Sequence, residues 1–592
     1  MPPRPLVLRD VFKHFVADVE KTVAPEETVQ RVRQRLRTLD LDILAETRRI
    51  DSGRLDIPVY LSLCGRDARL AIGNRKQMGK GSTPAQAEAS AVMELVERFS
   101  LFSFKQDPSG FTTSPMTAVS AEAIDPALLA LSVDDASADV EPALEVLSGL
   151  PLRWAWAFDL GDGRWRRLPF DWFYAINAYN GPAAGNCAEE AICQGICEVV
   201  ERDVSARVLL QDEGPPAIDP ASVVDPVCLE LMDKYRRAGV QLHLSDLSLD
   251  SGVPTVAVLA WDPATFPARS EIVWTAGTAT SPQRALSRTL TEVAQLAGDF
   301  DSGANFEASG LPKFTRLDQA DFVRHSPLTR RLEDLPDLSG PNLREEIQRL
   351  AAALARRGMP VLLVDITHRQ LQVPAFYTIV PGARFRERTA SASVAMITAK
   401  LIAETRPLDE ALARLEDFDR RLPDRYFIQF YLGTGRLAAG NPEAALGYLK
   451  RALDLDPPPP ERASILVYLA SGLKETGRWD EALDVLLKAR DLEPDRTDIH
   501  NLLGVCHFKR GEHEAAIACF QQVLALDPGS AMDHANLGVN YQAIGDDERA
   551  AAAYEAALSL DPTIDFALKN LLELHAKESM KYPPTDADKR GQ

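Results

Sequence analysis

Asn180-Gly-Pro-Ala-Ala-Gly185-Asn186-Cys-Ala-Glu189-Glu190-Ala-Ile-Cys-Gln194-Gly-Ile-Cys-Glu198-Val-Val-Glu201-Arg202 opens as a glycine-rich turn and continues as a helix. Ala191, Ile192, Ile196, Cys197, Val199 and Val200 go almost all the way round that helix, the pattern of a buried one. Glutamates three and four apart share a helix face and repel each other by about 0.2–0.5 kcal/mol per pair even when exposed. Unpaired and buried, they cost far more. A near-duplicate lies upstream in Ser90-Ala-Val-Met-Glu94-Leu-Val-Glu97-Arg98, again in apolar surroundings. Positive charge is therefore expected between the two helices. A divalent cation is one source, and oxygen ligands without histidine favour magnesium over zinc or iron.

A third segment, Arg288-Thr-Leu-Thr-Glu292-Val-Ala-Gln295, follows Gly277-Thr-Ala-Thr-Ser-Pro. Arg288 and Glu292 are one turn apart, which suits either a helix salt bridge or an arginine on phosphate with a glutamate beside it. Asn186 suits either a helix cap or a phosphate contact. The loop Gly73-Asn-Arg-Lys-Gln-Met-Gly-Lys80-Gly-Ser-Thr83 is not a P-loop. Lys80 is followed by Gly81, and the interval from Gly73 to Gly79 is one residue too long. A lysine just before a helix N-terminus still suits an anion.

The C-terminal quarter repeats itself. Gly440, Gly477, Gly511 and Gly545 are each followed five residues later by Ala445, Ala482, Ala516 and Ala550, and each unit ends at Pro457, Pro494, Pro528 or Pro562. The last two intervals are 34 residues, the tetratricopeptide period. Such a stack presents a concave surface to a protein or peptide partner. The expected organisation is a mixed α/β catalytic domain over 1–400, a helical connector over 401–424, an all-α repeat domain over 425–577 and a flexible tail over 578–592. Within the first domain, 57–63, 68–72, 255–260, 272–275, 361–364 and 375–380 read as strands. Helices are expected near 188–211, 226–238, 282–298 and 342–357.

The 592-residue chain carries a net charge of -20, which argues against direct nucleic-acid binding or attachment to an anionic membrane. No apolar run reaches transmembrane length and the N-terminus lacks a signal-peptide core, so a cytoplasmic location is expected. Seven scattered cysteines read as reduced thiols.

The residues quoted above resemble the YcaO superfamily over roughly residues 10 to 400. The motifs that carry the likeness are Ser90-x-x-x-Glu94-x-x-Glu97-Arg98, Asn186-x-x-x-Glu190 with Gln194, Glu198, Glu201 and Arg202 following, and Arg288-x-x-x-Glu292. The resemblance implies an ATP site without a P-loop, in which Glu94, Glu97, Glu190, Glu198 and Glu201 hold Mg2+. It further implies that Lys21, Thr28, Ser90, Arg98, Asn186, Gln194, Arg202, Arg288 and Glu292 contact the nucleotide or its phosphates. Glu97, Glu190, Glu198, Glu201 and Arg288 would then carry the catalysis.

Members activate a backbone amide of a protein or peptide by phosphorylating its oxygen. The repeats resemble those of the subgroup linked to methylthiolation of ribosomal protein S12. Backbone thioamide formation, or a non-catalytic ATP-binding scaffold, are the competing readings. The resemblance also implies a homodimer.

Overall fold

The computed structural model describes residues 6–13, 21–73, 76–211, 213–301, 311–385, 392–527 and 529–581. Two compact units divide the chain, Met1–Ile397 and Thr398–Gln592. The first mixes sheets and helices and the second is all helical.

Three sheets build the first unit. One is antiparallel, in the order Leu44–Arg49, Val59–Cys64, Lys76–Lys80. The second runs Val273–Thr278, Thr255–Trp261, Gln241–Asp246, Ala217–Ile218, Thr329–Arg330, and only its last pair is parallel. The third runs Thr112–Ser114, Leu152–Asp159, Leu362–Asp365, Ala375–Ile379, Pro182–Ala184, with Arg164–Pro169 also paired to Leu152–Asp159. Thr255–Trp261 and Val273–Thr278 are almost continuously buried, as strands covered on both faces are.

Each sheet feeds one helix from the strand at the end of its order. Lys76–Lys80 leads into Pro84–Gln106, Pro182–Ala184 into Ala188–Arg207, and Val273–Thr278 into Pro282–Ala297. Thr83 and Ser281 cap the first and third of these helices by accepting from the amides of Gln86 and Arg284, and Pro84 and Pro282 take the first helical position. Glycines let strand and helix touch. A Cβ at Gly79 would lie 2.0 Å from the Ala91 nitrogen, and one at Gly277 would lie 2.6 Å from Thr289 Oγ1.

Two expectations fail in the first sheet. Ala68–Ile72 is not a strand but part of the helix Arg66–Ile72, whose buried residues Ala68 and Ile72 are spaced for a helix rather than a strand. Asp42 fixes its start, its carboxylate and carbonyl accepting from the amides of Arg66 and Asp67. The stretch from Gly73 to Thr83 is not wholly a loop either. Lys76–Lys80 pairs with Val59–Leu63, so tertiary pairing overrides the weak strand propensity of Gly and Lys.

In the second unit, Leu408–Arg421 precedes four helix pairs: Tyr426–Ala438 with Pro442–Asp454, Pro459–Glu475 with Trp479–Leu492, Thr497–Lys509 with His513–Leu526, and Ala531–Ala543 with Asp547–Leu560. Gly440, Gly477, Gly511 and Gly545 all have φ between 70° and 81° at the turns, where other residues would be strained. Ala445, Ala482, Ala516 and Ala550 are fully buried at the helix contacts. The last helix, Asp565–Lys581, runs four residues into the expected tail, and 582–592 lie outside the described residues. Among the described residues no helix is long and apolar enough to cross a membrane.

Candidate active site

The three helices fed by the three sheets converge on a cavity of about 550 Å³. All fourteen site residues named from the sequence line it: Lys21, Thr28, Ser90, Glu94, Glu97, Arg98, Asn186, Glu190, Gln194, Glu198, Glu201, Arg202, Arg288 and Glu292. Side chains more than 260 residues apart in sequence thus meet in one place.

Lys80, offered by the sequence only as a lysine suited to an anion, lines the same cavity, and so does Arg284, which the sequence reading did not single out. Lys80 forms an ion pair with Glu292. The signal for Arg284 was available, since it lies one turn before Arg288, which itself lies one turn before Glu292.

The protein supplies much of the expected positive charge itself. Arg98 Nη2 lies 2.9 Å from Glu94 Oε1, Arg98 Nη1 lies 3.5 Å from Glu97 Oε1, and Nη1 also donates to the Tyr179 carbonyl at 3.0 Å. Arg202 Nη2 is 3.6 Å from Glu201 Oε1. Arg288 Nη1 donates to Gln194 Oε1 at 2.7 Å, while its Nε is buried without a hydrogen-bond partner.

Backbone amides hold the glutamates of the second helix. Glu198 Oε2 accepts from Gly181 N at 3.3 Å and Glu201 Oε2 from Thr278 N at 3.0 Å. Glu190 is occupied by four donors: Thr22 N and Oγ1, both at 2.6 Å, on one oxygen, and Asn186 N and Nδ2, both at 3.0 Å, on the other. Asn186 is therefore not the helix cap. Cys187 is, its Sγ accepting from Glu190 N, while Asn186 Oδ1 accepts from Thr28 Oγ1 at 3.1 Å.

The proton affinities follow from this packing. Burial, then the nearby Glu94, pushes the Glu97 carboxyl well above the ordinary carboxylate range. Burial also raises Glu198 to about 7, although Arg202 and Arg98 oppose the shift. Burial acts the same way on Glu190, but Lys21 and the Thr22 bonds outweigh it and leave that group below its usual value. Burial, then Arg288, lowers the Lys80 ammonium to about 7.

A magnesium nucleotide fits this donor set. Glu97 and Glu198 are buried carboxylates that a cation would relieve, and the unpartnered Arg288 Nε is a donor for a phosphate oxygen. Among the described residues no three His, Cys, Asp or Glu side chains already form a closed metal cage. Magnesium bound to a nucleotide needs none, because one or two carboxylates complete a shell made mostly of phosphate oxygens and water.

Residues 78–384, more than half of the chain, match the family described as YcaO cyclodehydratase, ATP- and Mg2+-binding. The chain belongs to the YcaO family. ATP and Mg2+ are its ligands, and the protein is an ATP-dependent enzyme of that family. Residues 468–531 and 534–564 match tetratricopeptide repeats.

An uncharacterized protein from Methanothermobacter thermautotrophicus is 29% identical over 387 residues, covering 61% of this chain and 94% of its own. The ribosomal protein S12 methylthiotransferase accessory factor YcaO of Escherichia coli is 28% identical over 230 residues, 36% of this chain and 38% of that protein. A heterocyclase solved in complex with substrate and cofactor shares the fold, with a TM-score of 0.50 and 22% identity, over 64% of this chain and 55% of its own. All seven cysteines are free thiols, as the sequence suggested.

Proposed function

We propose that this protein uses Mg-ATP to phosphorylate a backbone amide oxygen of a protein or peptide. The observation that carries the reading is the convergence in one cavity of six glutamates with Arg98, Arg202 and Arg288, from helices anchored on three different sheets, and with Lys80 from the end of a strand. Glu94, Glu97, Glu198 and Glu201 would hold Mg2+, which when bound withdraws charge from the phosphate oxygens. Arg288, with Gln194 on one side of its guanidinium and a bare Nε, is set to grip a phosphate oxygen. Glu190 and Asn186 tie Lys21–Thr22 and Thr28 to the wall, which places Lys21 at the cavity.

An amide oxygen is a weak nucleophile, so the protein's task is alignment and charge neutralisation rather than supply of a nucleophile of its own. The oxygen bonds to the γ-phosphorus as the β–γ bridge breaks. ADP leaves, and the amide nitrogen gives up its proton to solvent. The tetratricopeptide unit supports a protein substrate or partner, and the Escherichia coli relative supports a place beside ribosomal protein S12 methylthiolation.

ADP release stimulated by peptide is the direct test. Glu198→Ala is expected to lower it by about 10²-fold or more. ATP binding that ignores magnesium, or no peptide-stimulated turnover in the wild type, would sink the reading.

A further inference from the structure

The helix Ala188–Arg207 is a partition between two cavities. Glu190, Gln194 and Glu198 line the nucleotide side, whereas Cys187, Ala188 and Glu189 line a second cavity of about 1360 Å³, and Asn186 lines both. That volume exceeds the roughly 300–1,000 Å³ of small-molecule sites and suits a length of polypeptide.

Its walls have a definite chemistry. In the hairpin of Leu152–Asp159 and Arg164–Pro169, Trp156 faces Arg167 and Phe158 faces Trp165, which puts these four side chains on one side of the sheet. The Arg167 guanidinium sits 4.0 Å over the Trp156 ring, and the Phe158 and Trp165 rings meet edge to face at 5.4 Å. Trp156 and Trp165 line the cavity. Opposing charge at the rim cancels where Arg369 lies 3.6 Å from Asp107. Arg9 and two further carboxylates also line the cavity, which leaves it one net negative charge. Glu189 is 4% exposed, with one oxygen accepting from Arg9 N at 2.7 Å, and Asp365 is exposed, with Oδ1 accepting from Thr367 N at 2.9 Å.

We propose that this second cavity receives the substrate backbone next to the reacting amide and selects a segment bearing lysine or arginine there. The inference rests on the amide-activation reading, and the Asn186 boundary is where the amide would pass to the nucleotide side. The Trp165 indole and the excess of carboxylate over arginine together favour a cationic side chain, and a chain of net charge -20 attracts one from a distance.

The test uses the full-length protein without nucleotide and two labelled synthetic peptides of the same Gly/Ala/Ser backbone. One has a central Lys-Gly and the other a central Glu-Gly, and both are titrated by fluorescence anisotropy. The lysine peptide is expected to bind about tenfold more tightly. Asp365→Asn retains an oxygen for Thr367 N, and Trp165→Ala removes one indole. Each is expected to reduce the preference about threefold or more. Equal affinity for the two peptides overturns the proposal. So does a lysine preference that survives both substitutions, since recognition would then lie elsewhere, the repeats included. Mg-ATP affinity, measured on the same proteins, reports separately on the amide-activation reading: its absence in the wild type defeats that reading, while the peptide comparison still decides the cavity.

Discussion

Glu94-Leu-Val-Glu97-Arg98 and Glu198-Val-Val-Glu201-Arg202 share one pattern, and the fold treats them differently. In the first, Arg98 folds back on both of its glutamates and stacks 5.4 Å from the Tyr179 ring, so two carboxyl groups share one guanidinium. In the second, the glutamates are pinned by the backbone amides of Gly181 and Thr278, and burial keeps Glu198 near 7. The first is held chiefly by its own arginine and the second chiefly by backbone amides, with Arg202 3.6 Å from Glu201. A repeated motif is therefore not a repeated role.

The largest expected effect breaks the first cassette. Arg98→Met leaves Glu94 and the buried Glu97 without their shared guanidinium, which costs about 3–5 kcal/mol above the raised titration range of Glu97, where that buried carboxylate is ionised. Hydrogen exchange across Pro84–Gln106 should show it as faster opening. Arg98→Lys should recover only part of the loss, because a single ammonium does not match the geometry of the fork. Protection equal to wild type in Arg98→Met would show that the arginine is not what stabilises this cassette.

The second cassette predicts the opposite sign. The folded-state value of Glu198 is raised from 4.5 to about 7, so the fold binds its proton more tightly than the unfolded chain does. The stability it contributes is complete below about 4.5 and is lost as pH rises through 7. Glu198→Gln keeps an oxygen for Gly181 N and removes the charge. Without nucleotide it should match wild type at pH 4 and be more stable by roughly 1–3 kcal/mol at pH 8. Mg-ATP should reverse that order by stabilising the wild type more. Thermal unfolding at the two pH values, with and without Mg-ATP, checks both signs, and a variant less stable than wild type at pH 8 without nucleotide refutes the assignment. Mg-ATP affinity should also fall as pH drops below 7, where Glu198 takes up its proton.

The two units differ in how far sequence alone describes them. The repeats were legible because their contacts are local: glycine turn, alanine contact and proline stop recur within 34 residues and each pair packs on its neighbour. The site glutamates were legible because glutamates in an apolar helix are a conflict that local sequence exposes by itself, whereas Lys21, Thr28 and Ser90 came only from the family resemblance. The sheets were not, since pairing such as Val59–Leu63 with Lys76–Lys80 is a long-range choice that local propensity resists. Lys80 was read only as a lysine suited to an anion for the same reason: its place beside Glu292 depends on a strand that its own glycine-rich neighbourhood disguises.

The smallest effect concerns the starts of the same two helices. Thr83 Oγ1 accepts from Gln86 N at 3.3 Å, and Gln86 returns the favour by accepting from Ser82 N at 2.9 Å, a reciprocal closure of the first helix. Cys187 Sγ accepts from Glu190 N at 3.4 Å, a weaker bond because sulfur is a poor acceptor. Thr83→Ala should cost about 1 kcal/mol, whereas Cys187→Ala should cost about half of that or less. Cys187→Ser should cost nothing or gain a few tenths, because a hydroxyl oxygen caps better than a thiol. Chemical unfolding of the full chain, compared at one wavelength for all three variants, ranks them. Equal losses for Thr83→Ala and Cys187→Ala would mean that the second helix depends on its cap as much as the first. The backbone and Thr22 bonds around Glu190 would then not be what fixes its start.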